Sequence, residues 1–528
     1  MKKIKLKVLY FHMEYPPITG GGASYTKNLI TQLIKLKTQI ILITSGSEDS
    51  TEIVNDYLTI KRFKVFEDLY YDKGGFMQGI DVLTQQIRDE SPDILHTVYI
   101  EETLLGQIAN LNYGVSHIVT HTKTPMYREE SIIKNSTWST FDYVNRSNLV
   151  TFVAPGLAYR DSLLQSGIKE SAIRLIYPGI DRNIFKKYLD QRPLASMQKR
   201  LNIERGEFVI LIPCMLRKRK GLYFVLKALS KLSIPDSKVK VIITGLPQNL
   251  DEELIYQSFR ELKGDVEFVE HEWFSDEDMT VLYNIADVTV LCSEAEGYGT
   301  VFLEAMACEC PVIGSDVVGI NGLITDSFDG ILCKYGDCES LNNAIIKVLT
   351  DSTCRSKLID NALWSLDFKY NLQKQAQDHL DLYKSCLNRK QISHCIAYRF
   401  SKSGIEVLLE KDDKINYFLP TTTKRRNESW LQVAIKKIRD ISGYQVVIPS
   451  HQIIDESNAD AISYSFKIKN DTPVLNSSKS KKSVVWMQLN KAVLFVGTEE
   501  KKVFKKLKTC INNDLNVKTI KKTVTFSQ

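Results

Sequence analysis

Two series of short apolar runs, rich in β-branched residues, dominate the first 388 residues. The first comprises Leu6–His12, Gln39–Thr44, Asp93–Thr97, His117–His121 and Asn148–Val153. The second comprises Glu207–Cys214, Lys238–Thr244, Val266–Val269, Asp287–Cys292 and Pro311–Gly314. A strand that is apolar throughout is buried on both faces, as in a parallel sheet covered by helices. Amphipathic helical patterns alternate with the runs, which predicts doubly wound α/β units. Tyr177-Pro-Gly-Ile-Asp-Arg-Asn-Ile-Phe185 and a polar stretch to Gly206 separate the series. This punctuation reads as a hinge between two Rossmann-like halves, 1–180 and 181–388. A helix at about Leu372–Leu387 is expected to close the second half.

From about 389 the pattern changes. Two-residue alternation (Ile405–Leu409, Val484–Met487) stands beside one helical stretch, Ser429–Ile441, and predicts a third, α+β domain over 389–528. Between Lys501 and Lys522 lie eight lysines and one acid, Asp514, which reads as a solvated helix face. The net charge of +6 is mild and calls for no nucleic acid. No cysteine precedes Cys214, no CxxC pair occurs, and reduced thiols in a cytoplasmic protein are expected. Val8–Phe11 is too short for a signal segment, and no run approaches the roughly 20 apolar residues of a membrane span. The mild basic balance is compatible with peripheral contact with an anionic membrane face.

Four segments carry candidate chemistry. In Pro16-Pro-Ile-Thr-Gly-Gly-Gly-Ala-Ser24 the glycines Gly21 and Gly22 let backbone N–H groups approach an anion at a helix start. The alternative is a tight turn with no ligand. The pattern is not GxGxxG, and no acid ends the second strand near Thr44, so a dinucleotide dehydrogenase is disfavoured. His96 and His121 both fall at strand ends. His96 reads as a satisfied core histidine, and His121, in Thr120-His-Thr-Lys-Thr-Pro125, as a site residue. Arg217-Lys-Arg-Lys-Gly221 follows an apolar strand and precedes a helix, which places Arg217, Arg219 and Lys220 to bind a diphosphate rather than to coat a solvated face.

The fourth segment, Ser293–Cys308, is the most telling. Gly297, Tyr298 and Gly299 make a turn before a helix that starts near Thr300 and Val301, with free N–H groups facing the cleft. Glu304 lies one turn in and leans back toward the helix start. A carboxylate there can accept from two vicinal hydroxyls such as those of ribose. Helix-dipole compensation is its bland alternative, and the Thr300–Glu304 spacing is wrong for a capping box. Glu296 can accept from sugar hydroxyls, or be a solvated loop acid.

Glu296-x7-Glu304, the intervening Gly297-Tyr298-Gly299, the following Glu-Ala-Met-Ala-Cys and Pro311-Val-Ile-Gly-Ser-Asp316 resemble the signature of retaining glycosyltransferases of the GT-B fold, family 4. Pro16–Gly22, Tyr177–Phe185 and Lys220-Gly221 match in the expected order, so the resemblance covers about 1–388. It implies two Rossmann-like domains facing a cleft, with a nucleoside-diphosphate sugar as co-substrate between them and the acceptor on the first domain. Glu304 would hold the ribose, and Glu296 with the Gly297–Val301 segment the transferred sugar. Gly21, Gly22, Lys220 and Arg217 or Arg219 would hold the diphosphate, and His121 matches the family's active-site histidine. The resemblance implies neither a metal nor a further cofactor. One departure stands out, because Met215 occupies the place where the family commonly has an arginine.

The third domain resembles a degenerate Nudix domain through Val407-Leu-Leu-Glu-Lys, Tyr417-Phe-Leu-Pro420, Glu428-Ser429, Ser442-Gly443-Tyr444 and Trp486. A working Nudix box has Arg-Glu and Glu-Glu where this chain has Lys436-Lys437 and Asp440-Ile441, and Thr422 replaces its first glycine. Lysines there would repel Mg²⁺, which implies a Nudix-like fold without hydrolase activity. Two further readings follow from these departures. One is a non-catalytic nucleotide-sugar-binding protein and the other a Nudix-type pyrophosphatase.

Overall fold

The computed structural model describes residues 6–18, 20–70, 74–110, 113, 115–120, 150–214, 220–235, 237–245, 274–294, 296, 299–317 and 319–387, and the backbone of further strands between 266 and 488. The first half holds β1 (Lys7–Phe11), β2 (Gln39–Ser45), β3 (Ser50–Asn55), β4 (Leu58–Phe63), β5 (Ile94–Thr97), β6 (Ser116–Thr120), β7 (Val150–Ala154) and β8 (Ile173–Leu175). Their order in the sheet is β3-β4-β2-β1-β5-β6-β7-β8, parallel except for β3. The continuous apolar runs divide between two cores. Val8 and Tyr10 of β1 enter one cluster, while Leu9 and Phe11 enter the other, on the opposite face. Burial on both faces is what the sequence pattern requires.

The second half contains β9 (Phe208–Pro213), β10 (Val239–Thr244), β11 (Val266–His271), β12 (Val288–Leu291), β13 (Val312–Ser315) and β14 (Ile331–Cys333). They pair in the order β11-β10-β9-β12-β13-β14, all parallel. Numbered from one, this is 3-2-1-4-5-6, the doubly wound order, with its switch point between β9 and β12. Every strand expected in these halves is present. β3, β4, β8 and β14 are additions. β3 is exposed along its whole length, so no apolar run marks it.

The third region has β15 (Ile392–Ser401), β16 (Gly404–Lys411), β17 (Tyr417–Phe418), β18 (Thr421–Thr422), β19 (His451–Ile454), β20 (Ala461–Lys467) and β21 (Ser483–Gln488) in one mixed sheet. The two segments of expected alternation are antiparallel neighbours, with Val407 opposite Met487 and Leu408 opposite Trp486. The expected helix Ser429–Ile441 lies outside the described residues.

One expectation is corrected. The helix Leu372–Leu387 has the expected bounds, but it packs on the first sheet. Its Ala376, Leu380 and Tyr383 join the cluster of Val8, Tyr10, Ile40 and Leu42. The chain therefore crosses between the halves twice, and the crossings touch. The Ile180 N–H donates to the Tyr370 carbonyl at 3.1 Å, and a Cβ on Gly179 would lie 2.1 Å from the Leu372 Cα. Glycine is the residue that such an approach permits.

The returning helix docks through a buried polar network. His96 lies 2.6 Å through Nδ1 from the Tyr383 hydroxyl and 2.8 Å through Nε2 from Thr120 Oγ1. His379 stacks on His96 and donates through Nδ1 to the Gln375 carbonyl at 2.9 Å. His117 Nε2 meets Thr97 Oγ1 at 2.8 Å. His96 is thus the satisfied core histidine that was expected. Burial, reinforced by neighbouring histidines, holds His96 well below the ordinary imidazole value. Burial alone moves His117 from 6.5 to about 3, and it moves His379 to about 4.

These shifts predict acid sensitivity. Unfolded, each imidazole takes its proton near 6.5, whereas folded it stays neutral to much lower pH. The unfolded chain therefore binds more protons below that value, and stability is present above it and lost as pH falls. Between pH 7 and pH 5 His117 and His379 each contribute a loss of about 2 kcal/mol, and His96 acts in the same direction. Urea unfolding of the full chain at the two pH values measures the drop. His379→Asn should remove one share of it, and an unchanged slope in that variant would contradict the assignment.

Candidate functional site

The carboxyl ends of the two parallel sheets supply the site, because loops and helix starts there escape the buried faces. Helix Leu222–Leu229 follows β9 and helix Thr300–Ala307 follows β12, so both start at the switch point of the second sheet. Each begins on a glycine in the left-handed region, Gly221 (φ 67°) and Gly299 (φ 61°), with no side-chain cap. Other helices of this half are capped by Asp190, Ser275, Asp337 and Asp351 side chains. Leaving the first N–H groups of a helix without a side-chain acceptor leaves them for an anionic ligand.

Gly221 is fixed by crowding. A Cβ there would lie 2.0 Å from the carbonyl oxygen of Cys292, at the end of β12. Gly314, within β13, gives its space to Ile320, Phe302 and Ile324, which seats helix Thr300–Ala307 on the sheet. The conspicuous small residues of this segment therefore serve close packing around the helix start.

Helix Gly21–Lys35 follows β1 in the first half. It begins after Gly20, again without a side-chain cap. A Cβ on Gly21 would lie 3.9 Å from Thr300 Oγ1, so uncapped helix starts from the two halves meet. Gly22 faces the first half. A Cβ there would lie 2.1 Å from the Tyr99 hydroxyl and 2.6 Å from Glu14 Oε2.

Two carboxylates occupy the second half's side of this meeting point. Glu296 is buried, and its Oε2 accepts from Lys220 Nζ at 2.5 Å and from Ser293 Oγ at 3.1 Å. Lys220 and Glu296, expected on separate ligand groups, are ion-paired with each other. Glu304 is half-buried, and its Oε2 accepts from the Tyr283 hydroxyl at 2.8 Å. Burial raises its carboxyl to about 7, partly opposed by the Tyr283 and Thr300 hydrogen bonds. Cys214, beside Lys220 and Glu296, is pushed by burial up to about 12 and is inert as a nucleophile. Among the described residues, no group of three His, Cys, Asp or Glu side chains is arranged to hold a metal ion. Among them, too, no helix is long and apolar enough to cross a membrane.

Of the expected site residues, Gly21, Gly22, Lys220, Glu296, Gly299, Thr300, Val301 and Glu304 lie around the facing helix starts. His121, Arg217, Arg219, Gly297 and Tyr298 lie outside the described residues, as does Met215. Sequence reasoning missed Tyr283, the partner of Glu304. It sits on helix Asp276–Ile285 in an unremarkable helical pattern, and only the fold brings it to Glu304.

The chain matches two family models, Glycosyltransferase Family 4 over residues 19–183 and Glycosyl transferases group 1 over residues 195–363. It is 24% identical over 383 residues to N-acetyl-alpha-D-glucosaminyl L-malate synthase of Bacillus anthracis, covering 71% of this chain and 96% of that protein. It is 26% identical to UDP-Gal:alpha-D-GlcNAc-diphosphoundecaprenol alpha-1,3-galactosyltransferase of Escherichia coli, covering 72% and 98% respectively. Sucrose-phosphate synthase from Thermosynechococcus elongatus superposes with a TM-score of 0.62 at 19% identity, covering 72% of this chain and 99% of that one. Anabaena HepE in complex with UDP and glucose superposes at 0.56 and 17%, covering 72% and 100%. These likenesses show a GT-B fold of two Rossmann-like sheets.

The crowding at the switch point predicts a graded response to alanine. Gly221→Ala meets both a left-handed φ and the Cys292 carbonyl, whereas Gly336→Ala meets only the φ, with open space around it. The φ alone is worth about 1–2 kcal/mol. Thermal unfolding should show Gly221→Ala losing clearly more than Gly336→Ala. Equal losses would mean that the turn yields and that its position is not fixed by packing.

Proposed function

The chain is a GT-B glycosyltransferase of the family 4 type, and from that premise we propose that it moves a sugar from a nucleoside-diphosphate sugar to an acceptor hydroxyl with retention at the anomeric carbon and without a metal. The observation that carries the reading is the meeting of the uncapped helix starts at Gly21 and Thr300, with Glu304 one turn inside the second. Helix N-termini attract negative charge, and two of them converge with Lys220 where a diphosphate would lie. Glu304 takes the ribose hydroxyls, held in place by Tyr283. Glu296 takes hydroxyls of the transferred sugar, and the turn 297–301 closes over that sugar. Arg217 or Arg219 reinforces Lys220 in place of the arginine that Met215 displaces.

The acceptor binds against the first half, with His121 beside the reacting centre. Its oxygen bonds to the anomeric carbon on the face from which the phosphate oxygen departs. The departing phosphate receives the acceptor's proton, so no protein nucleophile is required. Charge building on the leaving diphosphate is met by the helix starts and the basic residues, which do the work a metal would otherwise do. The protein acts in the cytoplasm, with the acceptor delivered in solution or at a membrane face.

A panel of UDP-, GDP- and ADP-sugars tested by calorimetry identifies the donor. Glu304→Ala should weaken the donor about 10- to 100-fold, the worth of one charge-assisted hydrogen bond or slightly more. Because the carboxyl titrates near 7, affinity for the intact nucleotide sugar should rise about tenfold from pH 6 to pH 8 as the carboxylate forms. Glu304→Gln should flatten that rise. Unchanged affinity in Glu304→Ala would remove its assigned role.

For the third region we propose a Nudix-like domain without hydrolase activity that recognises an acceptor, a nucleotide or a partner. The mixed sheet, with β15 parallel to β20 and β16 antiparallel to β21, is compatible with that reading. The full chain should release no phosphate or nucleoside monophosphate from ADP-ribose or similar nucleoside diphosphates when Mg²⁺ is added. Magnesium-dependent release, lost on removing residues 389–528, would restore the pyrophosphatase reading.

A further inference from the structure

A second switch point lies in the first sheet, between β1 and β5, and its polar residues take no part in the donor reading. His12 follows β1 and is fully buried, as is Glu102 in the first turn of helix Ile100–Asn110. His12 Nδ1 lies 2.8 and 3.1 Å from the two oxygens of the Glu102 carboxylate. Facing an acceptor-only group, Nδ1 carries the proton. Glu102 also accepts the Met13 N–H at 2.8 Å and the N–H groups of Val98 and Tyr99, both at 3.2 Å. One carboxylate thereby ties the end of β1, the end of β5 and the start of the helix, and fixes the imidazole ring among them.

The other ring nitrogen is different. His12 Nε2 is buried and has no hydrogen-bond partner among the described residues. It is aimed at the glycine turn, where a Cβ built on Gly22 would lie 3.0 Å from it. The same Cβ position is crowded by the Tyr99 hydroxyl and Glu14 Oε2, themselves bonded at 2.9 Å. The 15-residue helix Gly21–Lys35 therefore starts directly against an unpartnered, buried nitrogen. A polar atom left without a partner in the interior opposes folding, and an apolar residue would fill the space without that cost. Its placement at a strand end, under an uncapped helix start, ties it to the ligand-holding turn.

We propose that His12, anchored by Glu102, is a positioning residue for sugar transfer. Its Nε2 makes no hydrogen bond to the turn but packs against Gly22, and this contact sets the position of the Gly20–Gly22 turn and so the aim of the N–H groups that would hold the donor's diphosphate. The inference rests on the donor reading above. His12 touches no substrate. Glu102 orients the ring, the ring orients the turn, and the turn meets the phosphate farther from the nucleoside.

Asparagine and glutamine separate the two ring nitrogens, since the Asn amide falls near Nδ1 and the Gln amide reaches toward Nε2. The purified full chain, wild type, His12→Asn and His12→Gln, is titrated by calorimetry with UDP, GDP and ADP and with the matching monophosphates. His12→Asn should weaken the diphosphate that binds the wild type by about tenfold and leave its monophosphate unchanged. His12→Gln should return the diphosphate to within about threefold of wild type. Wild-type diphosphate affinity in His12→Asn would overturn the proposal. So would an equal loss of mono- and diphosphate in both variants, which would mark general damage to the fold. A wild-type protein that binds none of the nucleotides would instead defeat the donor reading on which the proposal stands.

Discussion

Burial of both faces of two parallel sheets is the constraint from which the rest follows. Once Val8 and Tyr10 face one core and Leu9 and Phe11 the other, no side chain within the strand is left for chemistry. Function is driven to the carboxyl ends, where the chain leaves a strand and starts a helix. At the centre of each sheet that start is a glycine, because a neighbouring group occupies the place of a side chain: the Cys292 carbonyl at Gly221, and the Tyr99 hydroxyl at Gly22. At Gly221 the crowding that admits only glycine also leaves the start of the helix without a side-chain cap. There, packing and the proposed ligand binding place the same demand on the sequence.

The hinge shows how this geometry is held. Two crossing segments lie in contact through Gly179, Ile180, Tyr370 and Leu372, and the returning helix is locked to the first sheet by His96 with Tyr383 and to the helix Gly21–Lys35 by Tyr25 with His379. The second half is therefore bracketed by chain anchored on the first. Hydrogen bonds inside a low-dielectric core are strong when every member is paired, and an acidified imidazole would break the set. The facing of Gly21 and Thr300 depends on this bracket as much as on either sheet.

Much of this was legible in the sequence, and the exceptions have physical reasons. Interior strands announce themselves because both faces are apolar. β3 does not, because it is an exposed edge with nothing to bury. The final helix was legible as a helix but not in its allegiance, since an apolar stripe says that a partner exists and not which sheet it is. Glu304 and the glycine turns were legible because their spacing is local. Tyr283, His12 and Glu102 were not, since each acquires meaning from a residue that is near in space and distant in sequence, 21 positions away for Tyr283 with Glu304 and 90 for His12 with Glu102.

The Lys220–Glu296 pair joins the two halves of the chemical problem. Each charge is largely removed from water, and each would be costly to leave unpaired. In the proposed complex a donor that brings a diphosphate to Lys220 would also bring sugar hydroxyls to Glu296, so both partners would be replaced in one event. A nucleotide lacking the sugar would take Lys220 and leave Glu296 with only its remaining donors, Ser293 among them. On the proposed donor reading, the pair would favour the complete donor over its fragments. Discrimination of that kind arises from the cost of a deserted charge rather than from added contacts. The pairing would also let a carboxylate sit beside the proposed diphosphate site without repelling it. Held by Lys220 on one side and by the Ser293 hydroxyl on the other, Glu296 would, in the proposed donor complex, meet the ligand as a hydrogen-bond acceptor for sugar, while the helix starts at Gly21 and Thr300 would meet the phosphates.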